Sequence, residues 1–149
     1  AYPKTSGSEG IHIYLPIKPI YTHAQAYAFG EIAANVAAAR RPDIATVERI
    51  VKARGKGKVY VDYMQNVQGK TVTSAYSVRA VPGAQVSAPL EWSEVQSCVP
   101  MREFTMRTIP ARILSAGDLF GPVLNDRQAL GPALKKLEKM LTGGSRKPG

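Results

Sequence analysis

The chain has 149 residues, 44% hydrophobic and 21% charged, without an apolar run long enough to span a membrane. This composition is typical of a folded globular protein and excludes wholesale disorder. Its 20 basic and 11 acidic residues give a net charge of +9, which favours anionic partners such as nucleic acid or nucleotides. Because the single cysteine, Cys98, cannot form an internal disulfide, we expect a reducing intracellular compartment.

The first predicted element is a strand that begins at Ile11. Ile11 and Ile13 alternate with His12 and Tyr14, which predicts that the isoleucines face the core and His12 lies on the polar face. The preceding turn, residues 6–10, reads Ser-Gly-Ser-Glu-Gly, and its hydroxyls and backbone N–H groups can form an anion-binding nest. An ordinary surface turn followed by a solvated histidine fits the same residues, so both interpretations stay open.

Helical patterns follow. Thr22 is placed to cap a long alanine-rich helix that ends near Arg40, just before Pro42. A second, short helix is predicted through residues 47–51, with Thr46 or Asp43 as its cap.

Asp62 lies within the next predicted strand, residues 59–63, among residues that favour strands. Aspartate is disfavoured in such a position, and a carboxylate projecting from a rigid strand suits a hard metal cation. Pairing with Lys58 or Lys70 explains the same residue equally well. One carboxylate cannot hold two catalytic cations, and the other acids form no Asp-x-Asp pair, so further metal ligands would have to come from outside this chain.

The remaining pattern points to an α+β or α/β fold, and we expect α+β, with a small mixed or antiparallel sheet backed by helices. We expect extended chain over 71–81, a turn at Pro82-Gly83, short helices or mixed segments over 92–95 and 104–114, and a final helix over 130–141. The basic tail, 142–149, is expected to be flexible. Basic residues are spread along the chain, and both nucleic-acid contact and a solvated surface account for them.

Four segments in the same order resemble the polymerase domain of bacterial DNA ligase D, a member of the archaeo-eukaryotic primase superfamily. They read KTSGSEGIH at 4–12, GKVYVDYMQN at 57–66, AYSVRAVPGAQVS at 75–87 and FTMRTIPAR at 104–112. The resemblance runs over residues 1–141, and it implies the C-terminal half of a primase-type polymerase domain.

The resemblance also implies roles for individual residues. Asp62 is the implied catalytic metal ligand, for Mn²⁺ or Mg²⁺. The implied nucleotide contacts are Ser6, Gly7, Ser8, Gly10, His12, Gln65 and Arg79, and the expected DNA contacts are Lys4, Arg54, Lys56 and Lys58. The implied reaction is addition of NTPs or dNTPs to DNA ends in non-homologous end joining, by two-metal phosphoryl transfer.

Two departures from the family pattern qualify that expectation. Glu9 stands where relatives commonly carry lysine or arginine, which removes or reverses a positive contact to phosphate. The family's Asp-x-Asp pair belongs to an N-terminal half that this chain lacks, so we expect the chain to be inactive alone.

The resemblance also implies partners, namely the missing N-terminal half, a ligase domain and Ku. It implies a cytoplasmic, nucleoid-associated location without a membrane. The alternative is a non-catalytic basic module, derived from that domain, that binds nucleic acid.

Overall fold

The structure, a computed structural model, describes residues 1–142, so the predicted tail lies outside the described residues except for Thr142. No helix among the described residues is long and apolar enough to cross a membrane. In chain order, the helices and strands are β1 Tyr2–Thr5, β2 Ile11–Tyr14, α1 His23–Arg40, β3 Ala45–Thr46, β4 Val59–Tyr60, α2 Trp92–Gln96, α3 Ile109–Ala116 and α4 Leu130–Thr142.

The chain forms two compact units. The first unit, called unit 1, consists of residues 1–17 and 72–128. The second, unit 2, consists of residues 18–71 and the chain from residue 129 onward. Each unit therefore combines two separated stretches of sequence.

Unit 1 is organised around β1. On one side β1 pairs antiparallel with β2, and the register places Lys4 opposite His12. On the other side the segment 86–90 runs beside β1, with hydrogen bonds of 2.8 Å from the Thr5 amide to the Ala88 carbonyl and 2.9 Å from the Leu90 amide to the Pro3 carbonyl. This segment has the period-two pattern of a strand: Val86, Ala88 and Leu90 enter the core, while Ser87 faces the opposite way toward Lys4 and Thr5. Phe104 and Ile109 complete the core.

The orientation predicted for β2 is wrong. Ile11 and Ile13 are 41% and 62% exposed, whereas His12 and Tyr14 are half-buried. The face that carries His12 packs inward because Lys4 and Ser87 line it with polar partners, and the Tyr14 ring meets Phe120 edge-on at 5.1 Å between centroids. Alternation correctly predicted a strand, but the strand buries its other face.

Unit 2 is built on α1. The predicted cap at Thr22 is confirmed: its hydroxyl accepts from the Gln25 amide at 3.2 Å, and the Gln25 side chain accepts from the Thr22 amide at 2.9 Å. The helix ends at Arg40, as predicted, and buries Ala34 and Val36. The final helix α4 packs against α1 and begins with the buried Leu130.

Two other predictions for unit 2 are wrong. The short helix expected through 47–51 is absent among the described residues; residues 45 and 46 instead form β3, which pairs parallel with β4. The strand predicted over 59–63 is shorter: β4 ends at Tyr60, so Asp62 lies outside it, and Val59 is 64% exposed. The sheets β1–β2 and β3–β4 are separate, each with two strands, so the strand that carries His12 and the strand that precedes Asp62 do not belong to one sheet.

Candidate functional site

The loop between β1 and β2 is closed by Ser6. Its Oγ accepts hydrogen bonds from the amides of Ser8, at 3.2 Å, and Gly10, at 3.1 Å, and the Ser6 amide donates to the Gly10 carbonyl at 2.7 Å. These amides therefore do not form the open anion nest expected from the sequence, because the Ser6 hydroxyl and the Gly10 carbonyl satisfy them. Since both lone pairs of Oγ are engaged, the hydroxyl's remaining capacity is to donate its proton. The loop thus presents a fixed O–H donor.

Gly7 brings this loop against Arg79. Gly7 is buried in the left-handed region, with φ at +74°, and a Cβ added there would collide with Cγ of Arg79 and approach the Ser87 amide at 3.1 Å. Only glycine allows this conformation and this contact together. The Ser6–Gly10 loop and the stem of Arg79 are consequently neighbours in unit 1.

Arg79 is held by a hairpin. Its amide donates to the Gln85 carbonyl at 2.8 Å, Val78 bridges to Val86, and the predicted turn at Pro82-Gly83 closes with a hydrogen bond from the Ala84 amide to the Val81 carbonyl. The exposed guanidinium of Arg79 donates to the Thr73 hydroxyl. An arginine on a rigid hairpin, with its head group in solvent, is well suited to binding a phosphate group.

Lys4 lies beneath the loop and is fully buried, at 0% exposure. Its Nζ donates to Ser87 Oγ at 2.5 Å and contacts Nδ1 of His12 at 3.1 Å, and it lies 5.6 Å from the centre of the Tyr14 ring. Burial, followed by repulsion from Arg79, lowers the pKa of Lys4 to about 8. This placement does not fit the predicted DNA contact, because a side chain without accessible surface cannot reach a DNA phosphate.

Polar residues that the sequence analysis did not single out complete the support of this site. Ser87 is buried, and its Oγ donates to the Thr5 carbonyl at 2.8 Å while accepting from Lys4. Tyr76 adopts φ of +64° and donates to Asp118 at 2.6 Å. Burial and then this hydrogen bond raise the pKa of Tyr76 to about 12. The alternation of residues 86–90 is the sequence signal that would have placed Ser87 opposite the core.

A second support is an ion pair between α2 and α3. Arg112 binds Glu94 through two hydrogen bonds of 2.6 Å, donates to the Pro89 carbonyl at 3.1 Å, and lies over the Phe104 ring at 5.1 Å. Burial raises the pKa of Glu94, but the hydrogen bonds from Arg112, the hydrogen bond from the Glu91 amide and the charge of Arg112 together outweigh burial and lower that pKa. The pair fixes the end of the 86–90 segment on which Ser87 lies.

The other predicted site residues belong to unit 2. Asp62 is exposed, and its Oδ1 accepts from the Met64 amide at 2.8 Å and the Tyr60 hydroxyl at 3.4 Å. Within residues 1–142 it forms no ion pair with Lys58 or Lys70, so the structure does not contain the alternative pairing considered from the sequence. The carboxylate instead binds the amide of Met64, the first residue of the short turn Met64–Asn66, in which Gln65 is exposed.

The basic residues predicted to contact DNA in unit 2 differ in exposure. Arg54 is partly used internally: its guanidinium donates to the carbonyls of Glu48 and Arg49, both at 3.1 Å, and lies over the Tyr60 ring at 4.7 Å. Lys56 is exposed and Lys58 half-buried. Their DNA contacts stay predictions.

The described residues do not by themselves make a metal centre. No group of three or more histidine, cysteine, aspartate or glutamate side chains among residues 1–142 is arranged to hold a metal ion. The metal-dependent chemistry of two-ion sites needs several converging carboxylates, more than Asp62 alone could provide.

Comparison with known proteins identifies the family. The chain matches the family described as LigD, primase-polymerase domain, over residues 1–120. It is 38% identical over 118 residues to the bifunctional non-homologous end joining protein LigD of Bacillus subtilis, a match that covers 78% of this chain and 19% of that protein. It is 29% identical over 142 residues to the multifunctional LigD of Pseudomonas aeruginosa, covering 91% of this chain and 16% of that protein.

A solved structure supports the same assignment. The polymerase domain from Mycobacterium tuberculosis Ligase D in complex with DNA aligns with a TM-score of 0.76 and 30% identity, over 85% of this chain and 44% of that chain. The chain therefore belongs to the LigD primase-polymerase domain family, and the predicted α+β fold is confirmed. It spans 19% or less of the length of these two curated relatives and less than half of the solved domain.

Proposed function

We propose that this chain is the nucleotide-binding part of a primase-polymerase that adds NTPs or dNTPs to DNA ends in non-homologous end joining. The observation that carries the proposal is the cluster of donors in unit 1: the Ser6 hydroxyl, the His12 ring and the Arg79 guanidinium. Gly7 lies against the stem of Arg79, and the ammonium group of Lys4 on β1 contacts the ring of His12 on β2. Hydroxyl, imidazole and guanidinium donors gathered around a tight loop match the oxygens of a triphosphate.

In this proposal the donors bind the β- and γ-phosphates of the incoming nucleotide. The 3′-hydroxyl of a primer loses its proton to solvent and its oxygen forms a bond to the α-phosphorus, the bond from that phosphorus to the bridging oxygen breaks, and pyrophosphate leaves with the electron pair. Groups that neutralise the β- and γ-phosphates orient the nucleotide and stabilise the charge that builds on the leaving group. In unit 1 the guanidinium of Arg79 would supply positive charge to these phosphates, and the Ser6 hydroxyl would supply a hydrogen bond.

Asp62 is proposed as one metal ligand, carried over from the family resemblance, with Mg²⁺ or Mn²⁺ as the cation. Because residues 1–142 provide no cluster of three metal-binding side chains, we propose that the remaining carboxylates come from a part of the polymerase domain outside this sequence. The chain alone is then expected to lack polymerase activity. Primer extension by the purified chain with Mn²⁺ would contradict this part of the proposal.

The test of nucleotide binding is calorimetric titration of the purified chain with Mg-ATP and, separately, with inorganic tripolyphosphate. We expect both probes to bind the same site, with affinity reduced about tenfold or more by His12→Ala and by Arg79→Ala, because each removes a hydrogen bond to a charged oxygen. His23→Ala is the matched control, since His23 is exposed and lies in unit 2. Absence of binding, or equal binding by all variants, would overturn the proposal.

Charge variants at Glu9 give a further test of phosphate binding, and DNA binding separates the polymerase proposal from its rival. Glu9 is exposed in the same loop, and we expect Glu9→Lys to strengthen tripolyphosphate binding several-fold, with Glu9→Gln intermediate, because an acidic side chain repels the ligand. The rival, a non-catalytic nucleic-acid-binding module, predicts salt-sensitive DNA binding that is indifferent to His12→Ala and Asp62→Ala. That result would favour the rival.

A further inference from the structure

Lys4 is a buried charge that the proposed nucleotide contacts do not use. It lies on β1 directly opposite His12 on β2, so the two side chains share one face of the two-stranded sheet. A fully buried lysine is rare unless its ammonium is well paired, and here Nζ has acceptors in Ser87 Oγ at 2.5 Å, His12 Nδ1 at 3.1 Å and the Thr5 carbonyl at 3.5 Å.

The geometry determines which ring nitrogen of His12 carries the proton. An ammonium group has three donors and no lone pair, so in a hydrogen bond with Nδ1 it must donate. Nδ1 must then present its lone pair, and the ring is the neutral tautomer with its proton on Nε2. Ser87 fixes the ammonium in this position, because its Oγ accepts from Lys4 while donating to the Thr5 carbonyl at 2.8 Å.

We propose that Lys4 is a positioning residue that holds His12 in the Nε2–H tautomer, so that the ring serves as a hydrogen-bond donor to a triphosphate oxygen. The donor role rests on the proposed function, whereas the tautomer does not. A histidine with Nδ1 protonated would instead turn an acceptor nitrogen toward an anion and repel it. Lys4 therefore acts through His12 and touches no substrate itself.

The tautomer is measured directly in the full chain, without any ligand, by ¹⁵N NMR of the imidazole rings at pH 6.5 to 7. The sequence contains only two histidines, His12 and His23, so both rings are resolved, and the exposed His23 in unit 2 is the internal control. We expect His12 of the unaltered chain to show an unprotonated Nδ1 and a protonated Nε2. A ring protonated on Nδ1 would overturn the proposal whatever any variant does.

Variants then test whether Lys4 is the cause. We expect Lys4→Met, which keeps the length of the stem but has no donor, to leave His12 as a mixture of tautomers, and Lys4→Arg to restore the Nε2–H form at least in part. His23 should be unchanged in each. If Lys4→Met fails to fold, Ser87→Ala is the second variant: it frees the ammonium from its anchor and should weaken the tautomer preference. An unchanged His12 spectrum in a folded Lys4→Met chain would refute the causal role.

Tripolyphosphate binding links the tautomer to the site and keeps the two proposals distinguishable. If Lys4 acts through His12, then Lys4→Met should weaken binding by no more than His12→Ala does, and the double variant should be no weaker than His12→Ala alone. Additive losses would mean that Lys4 acts on the ligand independently, against the proposal. Failure of the unaltered chain to bind any phosphate probe would reject the proposed function while the NMR result on the tautomer still stands.

Discussion

The packing of the candidate site can be tested by substituting alanine for Gly7, which adds a single carbon atom. Substituting alanine has two separate costs: the backbone must hold a non-glycine residue at φ of +74°, and the new Cβ meets Cγ of Arg79 and, at 3.1 Å, the backbone amide of Ser87. The left-handed conformation costs roughly 1–2 kcal/mol for a residue with a Cβ. Crowding in a packed position costs about 1–3 kcal/mol more.

We therefore expect Gly7→Ala to lower the free energy of unfolding by about 2–5 kcal/mol, measured by urea unfolding. Two glycines of the same unit separate the contributions. Gly83 has φ of +85° with open space around it, so Gly83→Ala should cost only the backbone part, about 1–2 kcal/mol. Gly10 is outside the left-handed region, and a Cβ added there would lie 3.7 Å from Ser6 Oγ, so Gly10→Ala should cost about 0.5 kcal/mol or less.

A double variant identifies the crowding partner. Arg79→Ala removes the Cγ atom that the new Cβ would meet, so Gly7→Ala should cost at least 1 kcal/mol less in an Arg79→Ala background than in the unaltered chain, roughly the lower limit of the crowding cost. Equal stability costs for Gly7→Ala and Gly83→Ala would mean that the loop does not rest on the stem of Arg79. The same would follow if the cost of Gly7→Ala were unchanged in the Arg79→Ala background.

Three further predictions concern stability. Arg112→Met should lower the free energy of unfolding at pH 7 by about 1–3 kcal/mol, since it leaves a half-buried carboxylate without its partner. Because the folded pKa of Glu94 is lowered, the ion-pair part of this contribution is present above about pH 4.5 and is lost as pH falls, so the difference between the two chains in urea unfolding should shrink at acidic pH. The pKa of Lys4 falls from 10.5 to about 8 on folding, so the unfolded chain binds more protons between these values and stability should rise from pH 8 to 10, a slope that should be smaller in Lys4→Met. Thr22→Ala should cost about 1 kcal/mol by removing the cap of α1, and an unchanged urea midpoint would contradict it.

Local chemistry explains which elements could be predicted from sequence. Thr22 followed by an alanine-rich stretch locates α1 because capping and helix propensity act within one segment. Residues 47–51 have helical spacing, yet the adjoining residues pair as β3 with β4, a contact between distant segments that spacing cannot reveal. The strand β1 was not predicted, because it is four residues long and contains a proline, which is disfavoured in strands.

The candidate site was predicted in part for a similar reason. The motif over 4–12 led to Ser6, Gly7 and His12, and the structure brings these residues together with Arg79 in unit 1. The inward face of β2 was assigned wrongly because period two identifies two faces without saying which is buried. Lys4 was expected to contact DNA, but it is buried, because the distant Ser87 and the facing His12 provide acceptors for its ammonium group.

The division of each unit between two separated stretches has a consequence for any attempt to dissect this protein. Because residues 1–17 belong with 72–128 while the intervening stretch belongs with the chain from 129 onward, no single cut yields two pieces that each hold a complete unit. Both cores must also wait for distant segments to meet, which slows folding relative to a chain whose units follow one another in sequence. Expressing either unit by itself therefore requires two separated stretches of the sequence to be joined.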